Sequence, residues 1–416
     1  CGGCVSACPM NLTPNYIAMH TKLRDFDACE KLNAADCIEC GCCSFTCPAK
    51  IPLVQYMRLA KQNVIENRKR QVKMSDLYYV SSSPHIKSSK TVQSVMRDVI
   101  IALIPALLGA VLFFSFRALV IVAVSVSSCV LFEFLYNLIF KKPQSVSDLS
   151  AVVTGMLLGF NMPVTAPVYL PVIGAAFAII VVKMLYGGLG KNIANPALCG
   201  RIFLFLSFSS YMTNWVDAST AVNRTANSLP LFANTDVVSS ATPLAYLKNG
   251  DPSILNDVPL SSTFIGTIGG CLGETSAILL IIGGLYLLYK KIITWHIPAA
   301  YLGTVAVITF LFPHMEGITR LQFMAYNLFS GGLMLGAIFM ATDYATSPVT
   351  PKGRIIFGIG CGLLTVFIRY FGGYPEGVSF AILLMNFLTW FIDKHTIPTK
   401  FGGESKYAKI FKKAKE

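Results

Sequence analysis

The chain has 416 residues, of which 54% are hydrophobic and only 13% charged, and its mean hydropathy is +0.59. That balance excludes a water-soluble enzyme. A transmembrane helix needs about 20 apolar residues, so residues 97 to 393 hold about ten crossings, which excludes a porin-type barrel. The formal charge of +13 raises nucleic acid as a partner, yet no segment reads as a base-reading helix or ribbon and 21 acidic residues accompany it. Positive loops at a membrane surface account for the charge better.

Nine of the 13 cysteines fall within residues 1 to 47. A dense cysteine cluster ahead of a membrane domain favours metal ligation in a reducing compartment over disulfides, and so predicts a cytoplasmic N-terminus. Cys37, Cys40, Cys43 and Cys47 followed by Pro48 match C-x2-C-x2-C-x3-C-P, the run of bacterial ferredoxins. Cys1, Cys4 and Cys8 followed by Pro9 match the last three positions of a second copy. Carrying over the crossed ligation of such runs, Cys8, Cys37, Cys40 and Cys43 hold one complete [4Fe-4S] cluster. Cys1, Cys4 and Cys47 then hold a second, whose fourth ligand would precede Cys1. Cys29 and Cys42 are spare. A four-cysteine zinc site is the alternative, but structural zinc has no need of the trailing C-x3-C-P, and the five histidines are scattered. Residues 1 to 57 thus form a small ferredoxin-like module.

Residues 58 to 96 read as a basic helix, with Arg58, Lys61, Arg68, Lys69, Arg70 and Lys73, and a Ser-rich linker. Met74 resembles the natural start of a membrane polypeptide, making residues 1 to 73 the tail of a second product joined in frame. Apolar spans follow at about 97 to 116, 118 to 140, 149 to 162, 167 to 186 and 196 to 212, the first five-helix repeat. A polar loop occupies 213 to 261. A second set of five, at about 262 to 289, 294 to 312, 324 to 341, 354 to 371 and 376 to 393, precedes a Lys-rich tail over 394 to 416. With the N-terminus inside, Lys141, Lys142, Lys191, Lys290, Lys291, Lys352, Arg354 and the tail lysines all face the cytoplasm, as the positive-inside rule requires. The loop from 213 to 261 then lies outside.

Gly155, Gly159, Gly187 and Gly188 in the first half answer Gly332, Gly336, Gly372 and Gly373 in the second. Five spans per half make the repeat inverted, and in each half the third span ends at Pro or Gly-rich sequence, as broken helices do around a central site. Glycines that merely permit close helix packing are the competing explanation. The expected fold is therefore an all-α polytopic membrane protein preceded by a bacterial-type 2[4Fe-4S] module. Ionisable groups within apolar spans are costly and usually functional, so Glu133, Glu274 and Asp343 are candidates for ion passage. Lys183 is expected to snorkel to the inner surface. Cys129, Cys199, Cys271 and Cys361 read as small packing residues.

In the external loop, Thr242 followed by Pro243 reads first as a helix N-cap with proline at the first helical position. Such an N-terminus is also where a phosphate is best held. Ser239, Ser240, Ala241 and Thr242, with Asp236 upstream, resemble the flavinylation motif of the RnfD/NqrB family, found in the Rnf complex and in the sodium-pumping quinone reductase. The usual second residue is glycine where this chain has Ser240. The segments from Gly187 to Ala197, Gly273 to Ser276 and Gly372 to Asn386 look like the same family, across residues 74 to 400. Residues 1 to 73 resemble the C-terminal ferredoxin part of another Rnf protein, RnfC, joined by natural fusion or by reading through a junction.

The resemblance implies FMN bound covalently through a phosphoester to Thr242, and a second, noncovalent flavin, riboflavin. It implies an electron-transfer component of a redox-driven pump in a bacterial or archaeal cytoplasmic membrane, coupling electron flow between ferredoxin and NAD to movement of sodium ions or protons. Ferredoxin and NAD act through the other proteins of the complex, since no dinucleotide fingerprint is present and no catalytic residue is assigned here. A flavin transferase outside the cytoplasm would attach the FMN. A permease with an iron–sulfur sensor and a membrane anchor for a soluble oxidoreductase are the rival readings.

Overall fold

A computed structural model describes residues 2–70, 90–216, 242–250, 254, 258–274, 276–315 and 317–398. Helices, turns and loops account for all of them, with no strand among the described residues. The chain divides into two compact units.

The first unit comprises Cys1–Ser94 with Pro348–Gly353 and Phe391–Glu416. Its helices are α1 (Gly3–Ser6), α2 (Pro14–Lys22), α3 (Phe26–Lys31), α4 (Cys42–Phe45) and α5 (Leu53–Arg70). Leu53, Val54, Met57, Ala60 and Val64 recur at helical spacing on α5 and are all buried. Met57 and Val64 pack with Leu12, Ile17 and Cys29, each large side chain contributing about 1.5–3 kcal/mol on burial. Leu53 and Val54 join a second cluster with Cys4, Val5, Ala18 and Cys43, against which Cys47, Tyr56 and Val349 pack. Tyr16 donates to Asp393 Oδ2 at 2.5 Å, and the same carboxylate accepts from the Val349 amide. Burial and this bond hold the Tyr16 phenol above its ordinary pKa.

The second unit, Val95–Ser347 with Arg354–Trp390, holds most of the apolar helices, although those starting at Val92 and Pro351 begin, and the one ending at His395 ends, within the first unit. In chain order these are α6 (Val92–Phe114), α7 (Phe116–Ile139), α8 (Ser150–Phe160), α9 (Tyr169–Ala176, continued as a π-helix over Phe177–Met184), α10 (Pro196–Ser207) and α11 (Ser209–Met212). There follow α12 (Pro243–Asn249), α13 (Leu260–Ile265), α14 (Ala277–Tyr289), α15 (His296–Leu311) and α16 (Arg320–Phe329). The last are α17 (Leu333–Leu335, continued as a π-helix over Gly336–Met340), α18 (Pro351–Phe371) and α19 (Val378–His395).

Among the described residues, α6, α7 and α18 are long and apolar enough to cross a membrane singly, and α16 with α17 pass as one span bent by 65°. Most of the remaining expected spans are shorter or divided: α8, α9 with its π-helix, α10, α14 and α15 run for 10–17 residues, while α19 has 18 residues but is not among the helices apolar enough to cross. The expected span at 262–289 comprises α13, non-helical residues 267–274 and 276, and α14. Broken backbone at this depth is tolerated only where it is buried in protein or lines a cavity.

The repeated glycines divide between the two expected explanations. A Cβ at Gly155 would stand 2.6 Å from Val126 Cα, so this glycine lets α8 lie directly on α7. At Gly332 a Cβ would stand 2.4 Å from Glu274 Oε1, and here the missing side chain leaves room for a charged group. Lys183 does not snorkel. It is 1% exposed and donates to Glu133 Oε2 at 2.6 Å and Ser150 Oγ at 2.8 Å, because its stem points into the unit, where a buried carboxylate compensates the charge.

Candidate functional site

Two broken segments meet in the second unit. After α8 ends at Phe160, the carbonyls of Phe160 and Met162 accept from the amides of Gly273 and Leu272 at 2.9 and 3.0 Å, so the non-helical stretch before α14 satisfies part of its backbone against the end of α8. Arg201 on α10 bridges the crossing. Its Nη1 donates to Asn161 Oδ1 at 2.6 Å, Glu274 Oε1 at 2.8 Å and Ser379 Oγ at 3.0 Å. Its Nη2 donates to Glu376 Oε2 at 2.5 Å and Cys271 Sγ at 3.5 Å. The guanidinium fork thus ties α8, α10, the stretch before α14 and the start of α19 into one charged cluster. Glu274 is 4% exposed, and its second oxygen finds no hydrogen-bond partner.

Two more buried arginines serve the broken backbone. Arg369 on α18 donates to the carbonyls of Asn327 and Ser330 at 2.6 and 3.3 Å, where α16 ends. Arg117 on α7 donates to the carbonyls of Thr165 and Ala166 at 3.4 and 3.3 Å, beyond the end of α8.

Thr242 is the N-cap of α12, accepting from the Ala245 amide, with Pro243 in the first turn, as its sequence predicts. It is 6% exposed and lines a small pocket with Gly269, Gly270, Gly331, Glu274 and Glu376. Thr242 and the candidate carboxylate Glu274, well separated in sequence, therefore line one pocket. Asp236, Ser239 and Ala241 lie outside the described residues. Asp343 is elsewhere: it accepts from Thr346 Oγ1 at 3.2 Å and lines a different pocket with Lys183, Asn192, Asn195 and Tyr344. Glu133 is held by Lys183 and by Ser145, whose hydroxyl donates at 2.5 Å.

In the first unit, Cys8, Cys37, Cys40 and Cys43 line one pocket with Met10, Leu12, Val54 and Met57. Two chain segments bring these thiols together: the turn after α1, and the loop from Cys37 to Gly41 leading into α4. This donor set suits an iron–sulfur cube, which needs four thiolates around a dry cavity. Burial, with Cys4 and Cys37 nearby, pushes the Cys43 thiol up to about 12, so a metal bound there would have to displace its proton. Cys4 and Cys47 border the same apolar cluster, while Cys1 lies outside the described residues. Cys29 is fully buried, its thiol facing the Ile17 carbonyl at 3.7 Å, and neither it nor Cys42 lines the cavity.

Sequence reasoning missed Arg201, Glu376 and Cys271 as site residues. Cys271 does more than pack: its thiol donates to the Asn161 carbonyl at 3.3 Å while receiving Arg201. An arginine inside an apolar helix was the signal that could have found the cluster.

Apolar helices with broken spans around a buried arginine–carboxylate cluster define a polytopic membrane protein with a central polar site. The profile of the NQR2, RnfD, RnfE family matches residues 79–402, and the chain belongs to that family. It is 48% identical over 336 residues to the D subunit of the Na(+)-translocating ferredoxin:NAD(+) oxidoreductase complex of Acetobacterium woodii, covering 81% of this chain and 98% of that protein. It is 41% identical over 333 residues to the D subunit of the proton-translocating ferredoxin:NAD(+) oxidoreductase complex of Clostridium ljungdahlii, covering 79% and 97%. To the D subunit of the ion-translocating oxidoreductase complex of Aliivibrio salmonicida it is 36% identical over 348 residues, covering 78% and 98%. Residues 1 to 78 lie outside the family match.

Proposed function

We propose that this chain is the electron-transferring membrane component of an Rnf-type redox pump, with FMN esterified to Thr242 and [4Fe-4S] clusters in the N-terminal module. The observation that carries the reading is the convergence of Cys8, Cys37, Cys40 and Cys43 on one cavity, in a chain whose membrane domain belongs to a family with members in ion-translocating oxidoreductase complexes. The clusters take and pass single electrons. Cys1, Cys4 and Cys47 supply ligands to the second. In this reading the N-terminal module and the C-terminus are cytoplasmic, the loop from 213 to 261 is outside, and ten spans form two inverted repeats. Riboflavin is a second, noncovalent flavin, other Rnf proteins carry ferredoxin and NAD chemistry, and a flavin transferase matures the chain.

At Thr242 the chain offers an acceptor hydroxyl at a helix start. Glu274 and Glu376 line the same pocket as that hydroxyl. Arg201 holds both carboxylates and keeps their charge compensated in a water-poor interior. Glu274, with one oxygen unpartnered, is the group best placed to take a cation or proton.

Denaturing electrophoresis under ultraviolet light tests the flavin assignment. A fluorescent band at this chain's mass that disappears in Thr242→Ala supports it. A dark band from protein matured beside its transferase, with iron present, would favour the anchor reading.

A further inference from the structure

The loop carrying Cys37 and Cys40 is gripped from one side by α5. Glu39 stands between those cysteines with φ of 59°, a left-handed conformation unusual for a residue with a long side chain. Its amide donates to Cys37 Sγ at 3.4 Å. Its carboxylate receives Arg58 Nε at 2.7 Å and lies 3.6 Å from Lys61 Nζ. Lys61 also donates to the Cys37 carbonyl at 2.7 Å. Arg58 and Lys61 are three positions apart on one helix, so both reach the same side of the loop. One acidic and two basic groups thus stand against a loop that lines the four-cysteine cavity, to which Glu39 itself contributes.

We propose that Glu39, Arg58 and Lys61 are positioning residues that set the reduction potential of the group held by Cys8, Cys37, Cys40 and Cys43. The inference rests on the iron–sulfur reading of that cavity. Reduction adds one negative charge to a cluster, so a fixed cation beside it favours the reduced form and a fixed anion disfavours it. The amide bond to Cys37 sulfur favours reduction as well, and it requires the left-handed turn that the clamp holds. The three side chains are a quarter to a third exposed, so solvent tempers the effect without abolishing it.

The test is a redox titration of the full chain, reconstituted anaerobically with iron and sulfide and followed by electron paramagnetic resonance. The relevant signal is the one lost in Cys40→Ala. Lys61→Gln is expected to shift the reduction equilibrium about three- to tenfold toward the oxidised form, tenfold being about 59 mV for one electron. Glu39→Gln shifts it by a similar factor toward the reduced form, and the double variant returns close to the parent. Opposite signs identify charge. If both single variants move the potential the same way, or leave it unmoved with full iron content, the clamp is only a brace and the proposal is overturned. A parent chain that takes up no cluster overturns the iron–sulfur reading together with it.

Discussion

Arg201 is the residue on which most of the central site depends. It is 5% exposed and compensates Glu274 and Glu376, so Arg201→Met leaves two carboxylates buried without their cation. Breaking a buried pair from one side costs about 3–5 kcal/mol. The expected outcome is a markedly lower unfolding temperature in detergent, with partial recovery in Arg201→Lys, which restores charge but not the fork. An unchanged temperature in Arg201→Met would mean that water or another cation already serves the carboxylates. Nothing local in the sequence announces this pairing: Arg201 and Glu376 are 175 positions apart, and Glu376 follows Tyr374 and Pro375 in what reads as an ordinary turn. Glu274 was legible because it follows Gly273 inside a span, and Thr242 because a capping threonine before proline has a local signature. The grouping of Cys37, Cys40 and Cys43 in one pocket was legible for the same reason, their spacing being local, and only the addition of Cys8 is long-range. Iron content checks that register. Cys40→Ala is expected to lose one cluster and Cys42→Ala none.

At the scale of helices, sequence periodicity places the long spans well and the broken ones poorly. The first two spans are α6 and α7 within a few residues, because long continuous apolar runs leave little choice. The divided span over 262–289 has its break visible in Gly266, Gly269, Gly270 and Gly273, but what the break pairs with, the carbonyls ending α8, is a tertiary fact. The contact of α8 with α7 rests on Gly155. Gly155→Val inserts a branched side chain where even a Cβ would stand 2.6 Å from Val126 Cα, and overpacking of this kind costs about 1–3 kcal/mol. Circular dichroism of the purified variant should show retained helix with an earlier thermal transition. A transition at the parent's temperature would show that α7 and α8 can separate freely. Glu133 and Lys183 join α7 to the π-helix that continues α9, so Glu133→Gln is expected to lower folded yield, and Glu133→Gln with Lys183→Met to recover much of it, since removing both charges removes the uncompensated one. Failure of the double variant to recover would assign the loss to something other than the charge.

The whole molecule combines a cysteine module with a membrane domain of the NQR2, RnfD, RnfE family, in which a buried carboxylate cluster shares a cavity with Thr242. In the proposed function, electron passage through this chain drives an ion across the membrane. The direct measurement is ion uptake per electron in proteoliposomes containing the assembled complex, driven by reduced ferredoxin with NAD as acceptor, for the parent and for Glu274→Gln. Flavin fluorescence and iron content are determined on the same samples. The predicted result is ion uptake coupled to electron flow in the parent, and in Glu274→Gln retained cofactors with electron flow uncoupled from ion movement or both slowed. Electron transfer through a fully loaded parent complex with no ion movement would contradict the pump, and unchanged ion uptake per electron in Glu274→Gln would contradict the role given to its carboxylate.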